Sequence, residues 1–241
     1  MSELIRPRYP RRWRSLLAQR HARLGAVDFG SLRRTTPVSR QFGFDRGLSI
    51  DRYYIEQFLA KSAEVIRGRV LEVADSGYTR RFGGGKVDSA EVLHLQDGEG
   101  ATIVADLTDA PQIPSDTFDC VVLTQTLPFI YDVRAAISTL YRILRPSGTL
   151  LATFPGISEI SRYDMDRWGD YWRFTSLSAR RLFEEAFTPG DVEVDVHGNV
   201  LAAVAFLHGL AAEELREREL AYRDPDYELL ITVGATKAAS P

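Results

Sequence analysis

The chain has 241 residues, 44% hydrophobic and 26% charged, with a formal net charge of −3 and one cysteine. That length holds one full α/β domain with a sizeable core and little more. The balance excludes an intrinsically disordered chain and a disulfide framework, and the longest apolar stretch, Val200 to Ala212, is too short to span a bilayer.

Charge is unevenly placed. Residues 1–40 carry ten arginines against Glu3 and Asp28, a balance of +8 that leaves −11 for residues 41–241. Trp13, Leu16, Leu17 and Leu24 are spaced for an amphipathic helix over residues 10–26. Such an arm binds RNA or another anionic surface, or it packs on the acidic body or on a second copy of the chain. The second reading is the expectation, because nucleic-acid binders interleave more lysine and more exposed aromatics. Residues 27–50 read as loop, broken by Pro37, Gly43 and Gly47. Two regions are expected: a basic helical extension and lid over 1–50, and an α/β domain over 51–241. Within the lid, Arg46, Asp51, Arg52 and Tyr53 lie close together, as a ligand cover or as a salt-bridge network.

A helix opens with Asp51 as its cap and Tyr54, Phe58 and Val65 among its inward positions. Then come Arg69–Gly77, Glu91–Leu95, Ala101–Leu107 and Thr117–Gln125, short apolar runs that end in polar residues. A helical segment over Val133–Leu144 leads into Gly148–Gly156. The pattern predicts a parallel sheet in an α/β fold. Residues 157–174 form a polar, aromatic-rich connection. A helix over 176–187 with Ser176 as cap, a strand at Val192–His197, a helix over 199–215 and a last strand at Tyr227–Val233 complete the chain. Cys120 lies in an apolar strand and reads as a buried small hydrophobe. Without a leader peptide or disulfides, a cytoplasmic protein is the default.

In a parallel sheet the ligand sits beyond the carboxyl ends of the strands. Here those ends carry Glu72, Asp75, His94, Asp106, Thr124 and Gln125. Acidic groups suit a ligand with a ribose diol and an amine-bearing base, not a naked phosphate. The run Gly83-Gly-Gly-Lys86 fails as a phosphate loop, because Val87 stands where a serine or threonine is required; it reads as the turn into the second strand. No Gly-x-Gly-x-x-Gly run follows the first strand, which disfavours a nicotinamide-dependent oxidoreductase. The four histidines are scattered and lack cysteine partners, so no metal site is expected.

Val70-Leu-Glu-Val-Ala-Asp75, Ala105-Asp-Leu-Thr-Asp109 with Ile113-Pro-Ser-Asp-Thr-Phe-Asp-Cys-Val-Val122, and Ile143-Leu-Arg-Pro-Ser-Gly-Thr-Leu-Leu151 resemble three signatures of the class I S-adenosylmethionine-dependent methyltransferases. Residues 172–183 resemble the helix before the last hairpin in members found near glycosyltransferases. The resemblance covers roughly residues 66–237. It implies a doubly wound, mostly parallel seven-stranded sheet with a terminal antiparallel hairpin. It also implies S-adenosylmethionine as cofactor. Glu72 or Asp75 would face the methionine amino group, beside Ser76 and Gly77 in the turn. The turn departs from the family by having Ala74 and Ser76 where glycines are usual. His94 falls where the family has an acidic residue for the ribose; it makes one such bond, or it stacks, or Asp97 reaches in, or it is merely a strand end. Asp106 and Leu107 would meet the adenine, Thr124 and Gln125 would floor the pocket, and Tyr53 would belong to the lid.

The connection after the fifth strand would take the acceptor. Tyr163, Arg167, Trp168 and Trp172 suit a polyhydroxylated molecule. A hydroxyl acceptor calls for a base, for which His197, Asp164 and Asp166 are the candidates; a carboxylate acceptor needs none. The expected function is methyl transfer to a small polar acceptor, a sugar or glycan hydroxyl by preference, with a homo-oligomer formed through the arm. The alternative is a degenerate methyltransferase fold that serves as a binding or scaffold partner.

Overall fold

The computed structural model of the chain describes residues 25–239, so the arm helix expected over 10–26 lies almost wholly outside the described residues. The chain divides into two compact units, Met1–Thr36 and Pro37–Pro241. In the first, the described part holds a single 3₁₀ turn, Gly30–Leu32, with the Arg33 guanidinium 5.4 Å from the centre of the Phe29 ring. Residues 37–49 belong to the second unit: the amides of Val38 and Ser39 donate to the His208 carbonyl, and Ser49 bridges Ala211.

The second unit is built on a seven-stranded sheet of order β3-β2-β1-β4-β5-β7-β6. The strands are β1 (Gly68–Val73), β2 (Val87–His94), β3 (Ile103–Val104), β4 (Phe118–Thr124), β5 (Leu144–Pro155), β6 (Val192–His197) and β7 (Leu230–Thr236). The first five run parallel, and β7 inserts antiparallel between β5 and β6. This is the doubly wound sheet with a terminal hairpin. The helices are α1 (Ile50–Lys61), α2 (Val133–Ile143), α3 (Arg162–Met165), α4 (Ser176–Glu184), α5 (Val200–Leu207) and α6 (Glu217–Ala221).

Strand alternation sends successive side chains to opposite faces and divides the core in two. Leu71, Val121, Leu123, Leu150 and Phe154 face α2 and α4, meeting Ile137, Leu140 and Phe183. Val70, Cys120, Val122 and Leu151 face α1 and α5, meeting Ile55, Leu59 and Phe206. Burial pushes the Cys120 thiol up to about 12, so it is an inert core group. Helix α2 begins where the Asp132 carboxylate accepts from the Ala135 amide at 3.0 Å, and its apolar positions recur every three or four residues. Each of its large aliphatic side chains taken from water contributes roughly 1.5–3 kcal/mol.

Several boundaries differ from expectation. Helix α1 starts at Ile50 with Ser49 at the cap position; Asp51 sits inside the first turn and accepts from the Ser49 hydroxyl. It stops at Lys61, so Val65 lies beyond it. Thr175, not Ser176, caps α4, in a reciprocal box with Ser178. Helix α5 is eight residues long because Gly209, at φ +68°, turns the chain under the carbonyl of Ser39. The crossovers after β1, β2 and β3 contain only short turns, including one over Thr79–Gly83, and β3 keeps two residues. The sheet edge at β3 is therefore thinly covered, with Val104 exposed.

Candidate functional site

Strands β1 and β4 are neighbours, and the chain leaves them toward opposite sides of the sheet. That is the topological switch point, where ligand clefts form. A cleft of about 1470 Å³ opens above their carboxyl ends. Each strand is followed by a non-glycine residue in the left-handed region: Ala74 at φ 75° after β1 and Gln125 at φ 50° after β4. These turns bend the backbone away and leave the space between them to a ligand.

One half of the cleft carries most of the expected cofactor residues: Glu72, Asp75, Gly77, His94, Asp97, Asp106, Leu107, Thr124 and Gln125. Glu72 is buried and accepts from the amides of Tyr78 (3.2 Å) and Thr79 (2.8 Å). Burial raises its pKa, and those amides partly offset the rise. Glu72 thus holds the turn after β1 with both oxygens. Asp75 spends only Oδ1, on the Gly77 amide at 2.6 Å, and its Oδ2 has no described partner. Asp106 likewise uses Oδ1, for the amide and hydroxyl of Thr108, both at 2.8 Å.

His94 lies with its Nε2 2.8 Å from the Ala74 carbonyl. A carbonyl only accepts, so Nε2 carries the proton and Nδ1 of the neutral ring is left as an acceptor. His94 clamps the left-handed turn and still offers an acceptor where a carboxylate was expected. Ser76 is buried behind the turn and does not line the cleft.

The other half is walled by the segments 42–52 and 128–132 and by the connection after β5. Asp51 and Arg52 line it; Arg46 pairs with Glu214, away from it. The Asp51 carboxylate accepts from the Arg52 amide (2.8 Å) and from Gln125 Nε2 (3.2 Å), joining α1 to the end of β4. Arg173 makes two bonds to Asp170, at 2.6 and 2.9 Å, and donates to the Glu159 carbonyl, which fixes the path of residues 158–173. Gly156 is required where this connection begins, because a Cβ there would lie 2.1 Å from the Glu228 carbonyl. Tyr163, Trp168 and Tyr171 reach the cleft as exposed aromatic faces, and Tyr131 joins them with its ring 5.4 Å from that of Tyr171.

Not every expected residue is brought together. Tyr53 and His197 line a second cavity of about 1030 Å³, between α1 and the β5–β7–β6 face of the sheet. There His197 packs against Tyr54 with ring centres 5.5 Å apart, and burial, aided by Arg223, lowers its pKa to about 4. Strand β6 stands three strands from the switch point, which is why its carboxyl end misses the cleft. Asp164 lines the cleft, but its oxygens are taken by the Ser161 hydroxyl (2.5 Å) and the Trp168 indole (3.1 Å). Asp166 is exposed and outside the lining. Arg167 lies over the Tyr163 ring, 3.5 Å from its centre, and Trp172 donates to the Ile130 carbonyl; both support the wall from behind.

The sequence reading missed Tyr78, Tyr131, Ser158, Glu159 and Phe206 in the lining. A signal existed for Glu159: it is the first carboxylate of the connection after the fifth strand, ahead of Asp164, Asp166 and Asp170. Among the described residues, no group of three or more histidine, cysteine or carboxylate side chains is placed to hold a metal ion. No helix among them is long and apolar enough to cross a membrane.

Residues 85–152 match a family model described as a methyltransferase domain. No curated protein sequence matches the chain. Solved structures share the fold at low identity. A candidate sarcosine dimethylglycine methyltransferase from Galdieria sulphuraria has a TM-score of 0.53 and 12% identity, over 78% of this chain and 86% of that one. An S-adenosylmethionine-dependent methyltransferase from Archaeoglobus fulgidus has 0.51 and 12%, over 77% and 94%. A phosphoethanolamine N-methyltransferase from Haemonchus contortus, in complex with S-adenosyl-L-methionine, has 0.50 and 16%, over 76% and 52%. The family model covers residues 85–152, and these structures share the fold that contains them; what the chain does with that fold is a separate question.

Proposed function

We propose that the chain moves the methyl group of S-adenosylmethionine to a hydroxyl of a small polar molecule, by preference a sugar or glycan-related one, in the cytoplasm. The observation that carries this reading is the division of one cleft into two unlike halves: free carboxylate and imidazole acceptors along β1–β3, and an aromatic, hydroxyl-bearing wall after β5.

The residues fit the cofactor. Asp75 Oδ2 would take the methionine ammonium, His94 Nδ1 a ribose hydroxyl, and Asp106 Oδ2 the adenine amine. Glu72 would act indirectly, by holding the turn. When bound, the cofactor supplies a methyl group already activated on a sulfonium, so the protein's part is to hold the acceptor in line and keep water out. Ten carboxylates and three arginines line the cleft, which suits a cationic cofactor and rejects a polyanionic acceptor. The same acidity favours a basic amine as the second reading, and two of the structural neighbours are named for amine methylation.

Full-length protein with methyl-labelled S-adenosylmethionine should transfer label to one of a panel of methyl glycosides. Transfer to sarcosine or ethanolamine instead would establish the amine reading. Cofactor binding without transfer to any acceptor would favour the scaffold alternative.

A further inference from the structure

We propose that Glu159 is the residue that receives the acceptor's proton. The assignment rests on the proposed hydroxyl acceptor and narrows it to one carboxylate. Glu159 stands four residues after the end of β5, in the acceptor half of the cleft. Its Oε1 is closed off from solvent and has no hydrogen-bond partner among the described residues. A buried polar atom without a partner costs stability, so a structural role does not account for it.

The other carboxylates of this half are engaged or solvated. Asp170 is held by Arg173, Asp164 by Ser161 and Trp168, and Asp51 by Arg52 and Gln125, while Asp132 caps α2 and is exposed. The backbone of Glu159 is held at its carbonyl, which accepts from Arg173 and from the Ser158 hydroxyl. The side chain thus extends from a tethered backbone position with Oε1 unused.

Burial raises its pKa, and only the Phe42 amide and the charge of Arg40 pull the other way. A carboxylate displaced upward is a stronger base than one in water. In the reaction the acceptor's O–H bond breaks and its proton passes to the Glu159 carboxylate. The hydroxyl oxygen bonds to the methyl carbon, the carbon–sulfur electron pair stays on sulfur, and Glu159 ends as a neutral carboxyl.

Glu159→Gln in the full chain tests this with three readouts. Its folded-state pKa lies above the unfolded one, so ionised Glu159 costs stability at pH 7–8 and the cost disappears as pH falls below the ordinary carboxylate range. The variant should therefore melt higher than the parent at pH 8, with a gain that shrinks toward pH 4. Affinity for S-adenosylhomocysteine should stay within about twofold. Methyl transfer to the glycoside panel should fall about 100-fold or more, the usual contribution of a positioned base. A lower melting temperature at pH 8, a tenfold loss of S-adenosylhomocysteine affinity, or unchanged transfer would each overturn the assignment. If the parent labels no glycoside while both binding and stability behave as stated, the hydroxyl reading fails and Glu159 stands as the proton acceptor for the amine probes. The same 100-fold loss is then required with sarcosine or ethanolamine.

Discussion

Replacing Ala74 by glycine should make the protein slightly more stable and leave its ligand site intact. Ala74 holds φ 75° at the end of β1, where its carbonyl is gripped by His94 and its amide donates to the Leu93 carbonyl at 3.1 Å. An L-residue in that conformation is disfavoured by roughly 1–2 kcal/mol. Glycine has no such cost but loses more backbone entropy on folding, by roughly 0.5–1 kcal/mol. The difference is a net gain of about 0–1.5 kcal/mol, or about 0–6 °C in melting temperature for a chain of this size. Ala74 is exposed, so a larger side chain has room and pays only in torsion. Ala74→Val should therefore destabilise, because β-branched residues tolerate this region worst. Thermal unfolding of the three proteins, with calorimetric titration of S-adenosylhomocysteine, reads both quantities. A glycine variant that melts lower, or a valine variant that melts like the parent, would refute the left-handed turn.

Asp106→Ala should weaken S-adenosylhomocysteine binding by about 1–3 kcal/mol in calorimetry, the cost of stripping a partner from a buried polar contact. Lowering the pH from about 6.5 to about 4 should cost the parent roughly 3 kcal/mol at His197, because the unfolded histidine takes a proton there that the folded one refuses. His197→Phe should remove that part of the pH profile of the melting temperature. Asp166→Asn should leave turnover unchanged in a labelled-methyl assay, since Asp166 stands clear of the cleft. Asp164→Asn should lower the melting temperature by weakening the cap of α3 and the hold on Trp168.

Strands β1, β4 and β5 were legible because each is a compact run of β-branched and other apolar residues, β6 because its valines alternate with polar residues, and α2 because its apolar positions recur at helical spacing. Strand β3 was overdrawn: Ala101–Leu107 is apolar enough for a full strand, but Asp106 turns the chain back on Asp109. The cofactor half of the site follows from topology, which carries polar strand ends to the switch point. His197 shows where that rule stops, because its strand end shares the sheet edge but lies three strands away. Tyr53 shows the same limit for helices. Asp51 and Arg52 face the cleft, and one residue on, the helix has turned to the other cavity. Glu159 was hidden because its role depends on which carboxylates find partners, and pairings such as Arg173 with Asp170 are decided by the fold of the loop.

Calorimetric titration of the full chain with S-adenosylhomocysteine and, separately, with NAD tests the central claim most directly. One equivalent of S-adenosylhomocysteine should bind, Asp106→Ala should weaken it, and NAD should give no heat of binding. Saturable NAD binding, or no S-adenosylhomocysteine binding by the folded protein, would contradict a methyltransferase site between β1 and β4.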